Sequence, residues 1–251
     1  MGNEADRPTN DIANVINGDL SGVQAGIIHG DVHVHASAEP GDEVPAVFDH
    51  VPETQDEIAY VISHRPWEWP YVLYAGVLQV GLRDIKRRPE ERGKSPLTFA
   101  DRRAAISHAS PLLDELDSIL EDFRRTFDVQ IMSKAFGEPG RPGEWRLVTD
   151  IARRQVAAYE KMRAWAVSVR TAKVPRQVHR AYELTSHVAD QPMGDIEIFV
   201  GRLVSGVNDM LGEAARDLTR SHVLSITCDL TVDNKLLAEL TKEIARAGKR
   251  W

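Results

Sequence analysis

The chain has one cysteine and no long apolar run, and each shortage excludes a class of protein. Cys228 is the only cysteine among 251 residues. No disulfide therefore forms within the chain, and nothing indicates an oxidising compartment. No apolar stretch reaches the ~18 residues that a membrane-spanning helix needs. The N-terminus also lacks the basic segment and apolar run of a signal peptide, so we expect a cytoplasmic protein.

An excess of basic residues is missing as well. Lys and Arg number 31 against 38 Asp and Glu, which gives a formal net charge of −7 at pH 7. Because nucleic-acid-binding proteins usually carry a basic face, we expect no nucleic-acid partner. The sequence contains no G-x-S-x-G, no phosphate-binding loop and no H-E-x-x-H. We therefore expect no catalytic residues and no cofactor, and an enzyme of unrecognised class stays an open alternative.

Glycine recurs at every fourth residue in the stretch GDLSGVQAGIIHGDVHVH. The four are Gly18, Gly22, Gly26 and Gly30. In a helix each interior glycine costs about 1 kcal/mol relative to alanine, which argues against a helical segment. As an extended chain the stretch alternates two distinct faces, and Gln24 is placed to form an amide ladder between stacked identical chains. The spacing predicts short β-strands joined by sharp turns over 11–35, which need a partner strand for stability.

The stretch from Asn14 to His35 resembles the RHIM-related bacterial amyloid signalling motifs. The likeness centres on Val23-Gln24-Ala25-Gly26, which matches their V/I-Q-x-G core, and the outer glycines and HGDVHVH match the flanks. It implies homotypic stacking that passes a signal from a nucleotide-binding receptor with a matching motif to an effector in bacterial immunity or cell death. The residues so assigned to assembly are Asn17, Gly18, Gly22, Val23, Gln24, Ala25, Gly26, Ile28, Gly30, Val32 and Val34.

The role of the chain and the structure of its N-terminal stretch each leave an alternative open. Related effectors often carry the motif after a helical death-inducing domain, whereas it is N-terminal here, so the chain is either an effector or an adaptor. A different hypothesis is an arm that pairs with a strand at 223–232 in an oligomerising, partner-binding protein. The imidazoles of His29, His33 and His35 also share one face of the extended chain. Such spacing is known in metal sites, but we expect no metal.

Composition divides the chain into four parts. Residues 1–10 are polar and are predicted to form a disordered tail. The β-forming segment follows at 11–35, which we call the assembly segment. Residues 36–52 combine prolines with acidic residues, which is typical of a linker. Residues 53–251 show the spacing of apolar residues that predicts a helical domain.

The fold class is predicted as mainly α, an antiparallel helical bundle with short connections. The predicted helices are one ending before Pro89, one beginning at about Pro111, and three at 144–171, 175–192 and 193–211. The stretch HVLSITCDLTVDN alternates apolar and polar residues, which predicts a β-strand at 223–232. Asp233 is expected to cap a terminal helix at 234–247. The bundle therefore ends in a strand and a helix.

Residues 67–88 carry aromatic, then apolar, then basic residues. This is the order found in segments that lie at a membrane surface. A buried core helix gives the same pattern, so both interpretations stay open. The residues predicted to contact a membrane on activation, or a partner, are Trp67, Trp69, Tyr71, Lys86, Arg87 and Arg88.

We interpret the single cysteine and two aspartates of the helical domain as structural residues. Cys228 falls on the apolar face of the predicted strand, where a buried and unreactive thiol is expected. Asp190 and Asp195 flank a helix junction and are interpreted as helix caps. The N-terminal assembly segment is therefore the part of the sequence from which we predict the function.

Overall fold

The computed structural model describes residues 56, 59–60, 69–89, 97–138, 141–214 and 228–249, and these are mainly helical. The elements are α1 (Trp69–Arg87), α2 (Arg102–Arg125), α3 (Val129–Phe136), β1 (Gly137–Glu138), β2 (Arg141–Pro142), α4 (Trp145–Arg170), a 3-10 turn (Arg176–Val178), α5 (His179–His187), α6 (Asp190–Ala214) and α7 (Asn234–Lys249). The predicted tail, assembly segment and linker lie outside the described residues. The helical unit is our name for the described part of 69–249.

Helix α1 lies at the centre of the helical unit. Its residues 69–78 are all buried, so the helix is covered around its whole circumference there. Helices α4 and α6 pack along it, and Gly81 lets α4 approach closely. A Cβ at Gly81 would lie 2.6 Å from Cγ2 of Val156. A helix that is apolar all round is one that other helices enclose.

Helix α2 begins earlier than the sequence predicts. The Asp101 side chain accepts a hydrogen bond from the backbone N–H of Ala104 at 2.8 Å and caps the helix at its start. Pro111 therefore lies inside α2 and not at its first turn. The prediction of a start at about Pro111 was wrong because it relied on the rule that proline is unfavourable in a helix interior.

A tight corner joins α3 to α4, where the sequence GEPGRPGE predicts a break. Strands β1 and β2 form a two-residue antiparallel pair there, with Gly137 opposite Pro142. Gly137 has φ 86°, in the left-handed region that favours glycine. At Gly143 a Cβ would lie 2.3 Å from the carbonyl oxygen of Ala135. The corner therefore requires glycine at both positions.

Helices α4, α5 and α6 cover the predicted segments with shifted boundaries. Helix α4 confirms the helix predicted at 144–171. The segment 175–192 divides into the 3-10 turn and α5, and Pro175 lies just before that turn rather than in a helix. Helix α6 begins at Asp190, so Pro192 falls within its first turn. Proline is tolerated in a first turn because the N–H groups there have no partner within the helix.

The predicted C-terminal strand is wrong for the part of 223–232 that the structure describes. Residues 228–233 form neither strand nor helix and belong to no sheet, and 223–227 lie outside the described residues. Cys228 and Leu230 are buried in the core of the helical unit, while Asp229 between them is exposed. The alternation at 228–230 thus reflects one face buried in the core of the helical unit, and not the pairing of a strand with another strand.

The terminal helix is confirmed as α7. The Asp233 carboxylate accepts hydrogen bonds from the backbone N–H groups of Lys235 at 2.8 Å and Leu236 at 3.3 Å, as the predicted cap requires. Helix α7 packs against α2, the 3-10 turn and α5. Two distant parts of the chain, the start of α2 and the end of α7, are thereby brought together.

Candidate functional site

The structure separates the residues predicted to contact a membrane or partner into two environments. Trp69 and Tyr71 lie in the first turn of α1 and are buried, with 7% and 9% of their surfaces exposed. Lys86 and Arg87 lie exposed in its last turn, and Arg88 follows. Trp67 and the whole assembly segment lie outside the described residues. The burial of the aromatic residues fits the interpretation of α1 as a core helix.

The basic residues at the end of α1 bind acidic groups on neighbouring helices. Lys86 Nζ lies 2.6 Å from Oε2 of Glu197 on α6. The Tyr159 hydroxyl on α4 donates to the other oxygen of the same carboxylate at 2.5 Å. Burial and the Glu197 carboxylate raise the pKa of Tyr159 well above its ordinary value. Tyr159 therefore stays protonated as a hydrogen-bond donor and does not serve as a base.

Arg163 satisfies the carbonyl groups that α1 leaves at its C-terminal end. Its guanidinium donates to the carbonyl oxygens of Ile85 and Arg88, the latter at 3.0 Å. Arg88 in turn pairs with Glu160 on α4 at 2.8 Å. A cation at a helix C-terminus is favourable because the last carbonyl groups carry partial negative charge. These contacts fasten the end of α1 to α4 and α6.

A buried chain of hydrogen bonds crosses the core. The Tyr74 hydroxyl donates to Oε1 of Gln155 at 2.7 Å, and Nε2 of Gln155 donates to the Thr126 hydroxyl at 2.7 Å. The Thr126 hydroxyl donates to the carbonyl of Phe123 at 2.6 Å. Desolvation raises the pKa of Tyr74 far above its ordinary value. Each of the three side chains in this hydrogen-bond network has a partner, which is typical of a network with a structural role.

The single thiol is buried and stays protonated. Cys228 exposes 1% of its surface, which confirms the predicted burial. Burial, together with the nearby charges of Asp195 and Asp229, raises the pKa of the thiol to about 12. A nucleophilic cysteine needs a lowered pKa and access to solvent, and Cys228 has neither.

Neither a metal centre nor a membrane-spanning helix is found among the residues that the structure describes. Within 69–89, 97–138, 141–214 and 228–249, no three His, Cys, Asp or Glu side chains come close enough together to hold a metal ion. In the same part of the chain, no helix combines the length and apolar character needed to cross a bilayer. The histidines of the assembly segment lie outside these ranges.

An open pocket forms where α2 begins, next to the 3-10 turn and the C-terminal half of α7. Its volume is about 340 Å³, and the described residues that line it are Arg102, Arg176, Gln177, Glu243, Arg246 and Ala247. We call it the arginine pocket. Arg246 pairs with Glu243 at 3.4 Å, and Ala247 is buried. The sequence does not reveal this pocket, because its three arginines are far apart in the chain and follow no local spacing.

Comparison with known proteins identifies no relative. No protein-family model matches this chain, and neither the curated proteins nor the solved structures contain a significant match to it.

Proposed function

We propose that this chain is a non-enzymatic signalling component of bacterial immunity or regulated cell death that assembles by homotypic β-stacking of the assembly segment. The observation that carries the proposal is the V-Q-A-G core at 23–26, set between Gly18, Gly22 and Gly30. Stacked copies satisfy the backbone groups of so short a β-forming segment, which is not stable alone in water. The partners are further copies of the chain and a nucleotide-binding receptor with a matching segment.

The helical unit is suited to be the part that assembly brings together. It buries one continuous core that includes residues of every helix from α1 to α7. A compact unit of this size has a radius of gyration of about 16 Å. Copies stacked in a cross-β core repeat every ~4.8 Å. Each helical unit is much wider than this repeat, so the linkers must hold the helical units of a stack close to one another. The local concentration of helical units is therefore high.

Contact with a membrane is a further step of this proposal, and it has a structural requirement. Trp69 and Tyr71 are core residues of α1, so a membrane reaches them only after α1 leaves α4 and α6. Lys86 and Arg88 are tied to Glu197 and Glu160, and these ion pairs break in that opening. Leakage of anionic liposomes on seeded assembly tests this step. Leakage without assembly, or none after it, contradicts it.

The alternative hypothesis, an N-terminal arm that pairs with a strand at 223–232, is weakened by the structure of residues 228–232. The arm needs a free strand edge at 223–232, but the described residues 228–232 form no strand. The backbone N–H of Thr231, which a strand partner would use, donates to Asp195 instead. The alternative is therefore disfavoured over these residues.

The decisive experiment is seeded polymerisation of the full-length protein. Fibril formation is followed by thioflavin fluorescence and electron microscopy, with and without seeds of a 12–36 peptide. We expect seeds to shorten the lag and to convert the soluble protein into fibrils. Gln24→Pro is expected to abolish conversion because proline removes a ladder hydrogen bond.

The matched control is Asn3→Pro, which places the same residue in the polar tail outside the assembly segment. It is expected to polymerise as the unmodified chain does. A protein that stays a discrete oligomer whatever the seed contradicts the proposal. Equal loss of conversion in both proline variants contradicts the assignment of assembly to 11–35.

A further inference from the structure

We propose that the helical units of neighbouring copies contact one another head to tail, with exposed basic residues of α7 on one copy facing exposed acidic residues of α2 on the next. The occupant of each surface is therefore a second copy of this chain. The contact depends on the proposed function, because β-stacking of the assembly segment is what brings the copies together.

Three basic residues follow one another along the exposed side of α7. Lys235, Lys242 and Arg246 are seven and four residues apart, a spacing that places side chains on one face of a helix with 3.6 residues per turn. All three residues are exposed, and we call them the basic face of α7. The ammonium groups of Lys235 and Lys242 make no ion pair or hydrogen bond within the part of the chain that the structure describes.

The carboxylates beside the basic face have their own partners. Glu239 lies 3.0 Å from Arg180 on α5, and Glu243 lies 3.4 Å from Arg246 within α7. Arg246 therefore adds little net charge to the face. What the basic face offers to a partner is the two unpaired ammonium groups.

Acidic residues occupy the exposed side of α2 in its C-terminal half. Asp114, Glu115 and Asp117 are exposed, and we call them the acidic face of α2. Asp117 lies 3.9 Å from Arg124, and Arg124 and Arg125 also pair with the two carboxylates that follow along the helix. The carboxylates of Asp114 and Glu115 have no ion-pair or hydrogen-bond partner among the described residues. The acidic face thus offers carboxylates that match the ammonium groups of the basic face.

The two faces do not pair within one chain. Arg246 and Arg102 line one pocket, so α7 meets α2 near the start of α2. Asp117 lies 15 residues beyond Arg102, or roughly 22 Å along the helix. Lys242 is one turn from Arg246 and is therefore well beyond ion-pair distance from Asp117 of the same chain. Complementary faces at two places on one molecule form a head-to-tail contact, which repeats along a stack instead of closing on a pair.

The length of chain between the assembly segment and the helical unit makes a weak contact effective. Residues 36–68 lie between them, and these 33 residues span at most about 120 Å. With one copy per ~4.8 Å of a stack, the helical units share a cylinder of that radius, and their local concentration is of the order of 10 mM. Exposed ion pairs contribute little individually, but at this concentration even a contact of millimolar affinity is occupied.

The net charge of the chain favours a second copy over a nucleic acid as the occupant. A net charge of −7 repels a polyanion from the chain as a whole. A neighbouring copy instead supplies a local acidic face, and it is present at every step of a stack.

Zero-length cross-linking tests the contact. A carbodiimide joins a lysine amine to a carboxylate only where the two groups touch. It is applied to fibrils of the full-length protein seeded with the 12–36 peptide, and to the soluble protein at millimolar concentration. Both samples mix isotope-labelled and unlabelled chains. We expect cross-links between Lys242 and the acidic face in mixed pairs, which combine one labelled and one unlabelled chain.

The matched control is Lys161, an exposed lysine of α4 that lies outside the basic face and has no partner among the residues that the structure describes. We expect its yield of mixed cross-links to be at least roughly threefold lower than that of Lys242, because no complementary face is placed opposite it. Equal yields at the two lysines overturn the proposal.

Charge reversal tests the acidic face. Asp117→Lys introduces a positive charge opposite Lys242 and leaves Asp114 and Glu115 in place. Mixed cross-links from Lys242 to these two carboxylates are expected to fall roughly threefold or more, because like charges repel. The control is Asp209→Lys, since Asp209 is exposed on α6 and belongs to neither face. Its yield should stay within about twofold of the unmodified chain, and equal losses in the two variants overturn the proposal. Circular dichroism checks that each variant is folded.

The outcomes separate this contact from the proposed function. Fibrils that form without mixed cross-links at Lys242 overturn the contact and leave β-stacking intact. Mixed cross-links in the soluble protein, with no fibrils after seeding, support the contact and contradict the proposed function. Neither fibrils nor mixed cross-links contradicts both. Binding to phosphatidylglycerol vesicles that Lys242→Gln abolishes, without mixed cross-links, assigns the basic face to a lipid surface and overturns the proposal.

Discussion

Asp195 on α6 accepts two hydrogen bonds from Thr231, one from the backbone N–H and one from the hydroxyl, both at 2.8 Å to Oδ2. Gln191 donates to the other carboxylate oxygen at 3.1 Å. Asp195 is therefore not the helix cap that the sequence predicts. It fastens the segment 228–233 to α6, over the buried side chains of Cys228 and Leu230.

Removal of this carboxylate should loosen the C-terminal segment. We expect Asp195→Ala to lower the free energy of unfolding by about 1.5–3 kcal/mol, because two hydrogen bonds to a charged acceptor are lost. Urea unfolding measures this change, and alkylation of Cys228 by iodoacetamide should become faster. Asp190→Ala is the control, since Asp190 pairs with His187 on the exposed surface and should cost less than about 1 kcal/mol. Equal losses in the two variants contradict the prediction.

Alkaline pH should destabilise the protein partly through Cys228. Burial raises the pKa of this thiol from 9.0 to about 12, so the folded state holds the proton more tightly than the unfolded chain does. The resulting stability is complete below pH 9 and is lost as the pH rises towards 12.

Urea unfolding at pH 8 and pH 9.5 measures this loss. We expect Cys228→Ala to reduce the fall in stability between these two pH values by roughly 1 kcal/mol, whatever its cost at neutral pH. The window stays below pH 10 because buried tyrosines such as Tyr71 and Tyr182, with pKa values raised to about 12 from 10.0, add their own losses above it. An identical pH dependence in Cys228→Ala and the unmodified chain contradicts the prediction.

The contact of Gly81 with Val156 should make a helix-favouring substitution harmful. Alanine is favoured over glycine in a helix interior by about 1 kcal/mol. A Cβ at Gly81, however, meets both methyl groups of Val156 at 2.6 and 2.8 Å. We expect Gly81→Ala to lower the unfolding free energy by about 1–3 kcal/mol through overpacking between α1 and α4.

Two further variants isolate the clash in urea unfolding. In a Val156→Ala background the same Gly81→Ala change should become neutral or stabilising. On α6, Gly201→Ala should stabilise by up to about 1 kcal/mol, since a Cβ there meets nothing within 4 Å. If Gly81→Ala stabilises the unmodified chain, α1 and α4 do not approach as closely as described.

Helices with strong local signals were predictable from the sequence. Apolar spacing and the position of Pro89 predicted that α1 ends just before Pro89. The capping carboxylate of Asp233 predicted the start of α7. The start of α2 was missed because Pro111 is a local signal that tertiary packing overrides. The strand predicted at 223–232 was wrong over its described residues 228–232, because alternation reveals one buried face but not which element covers it.

The assembly segment and the arginine pocket also differ in whether the sequence alone reveals them. The assembly segment was found because its glycines and the V-Q-A-G core are adjacent in sequence, and its role stays a prediction. Arg102, Arg176 and Arg246 line one pocket only because α2, the 3-10 turn and α7 pack together. No spacing in the sequence relates these three arginines, so only the fold reveals their proximity.

The hydrogen bond between Tyr74 and Gln155 should show strong coupling. Tyr74→Phe leaves Oε1 of Gln155 buried without its donor, and we expect a loss of about 1–3 kcal/mol of unfolding free energy. Gln155→Met removes the other partner. The double variant should cost at least about 0.5 kcal/mol less than the sum of the single changes. As a control, Tyr182→Phe shares no hydrogen-bond partner with Gln155, and its combination with Gln155→Met should be additive.

Replacing the proline inside α2 by alanine should stabilise the folded protein. Pro111 is exposed and lies within the helix, where it offers no N–H to the carbonyl of Ser107. We expect Pro111→Ala to raise the unfolding free energy by about 2 kcal/mol, since the gain in the helix exceeds the greater entropy of the unfolded chain. Thermal and urea unfolding measure the effect.

The same substitution at Pro175 should have the opposite sign. Pro175 has φ −57° just before the 3-10 turn, which is the value that its ring prefers. Pro175→Ala should therefore lower the unfolding free energy by about 0.4–1 kcal/mol, because it only frees the unfolded chain. If both alanine variants changed stability in the same direction, local backbone geometry would not determine the effect, and the position of Pro111 inside a regular helix would be wrong.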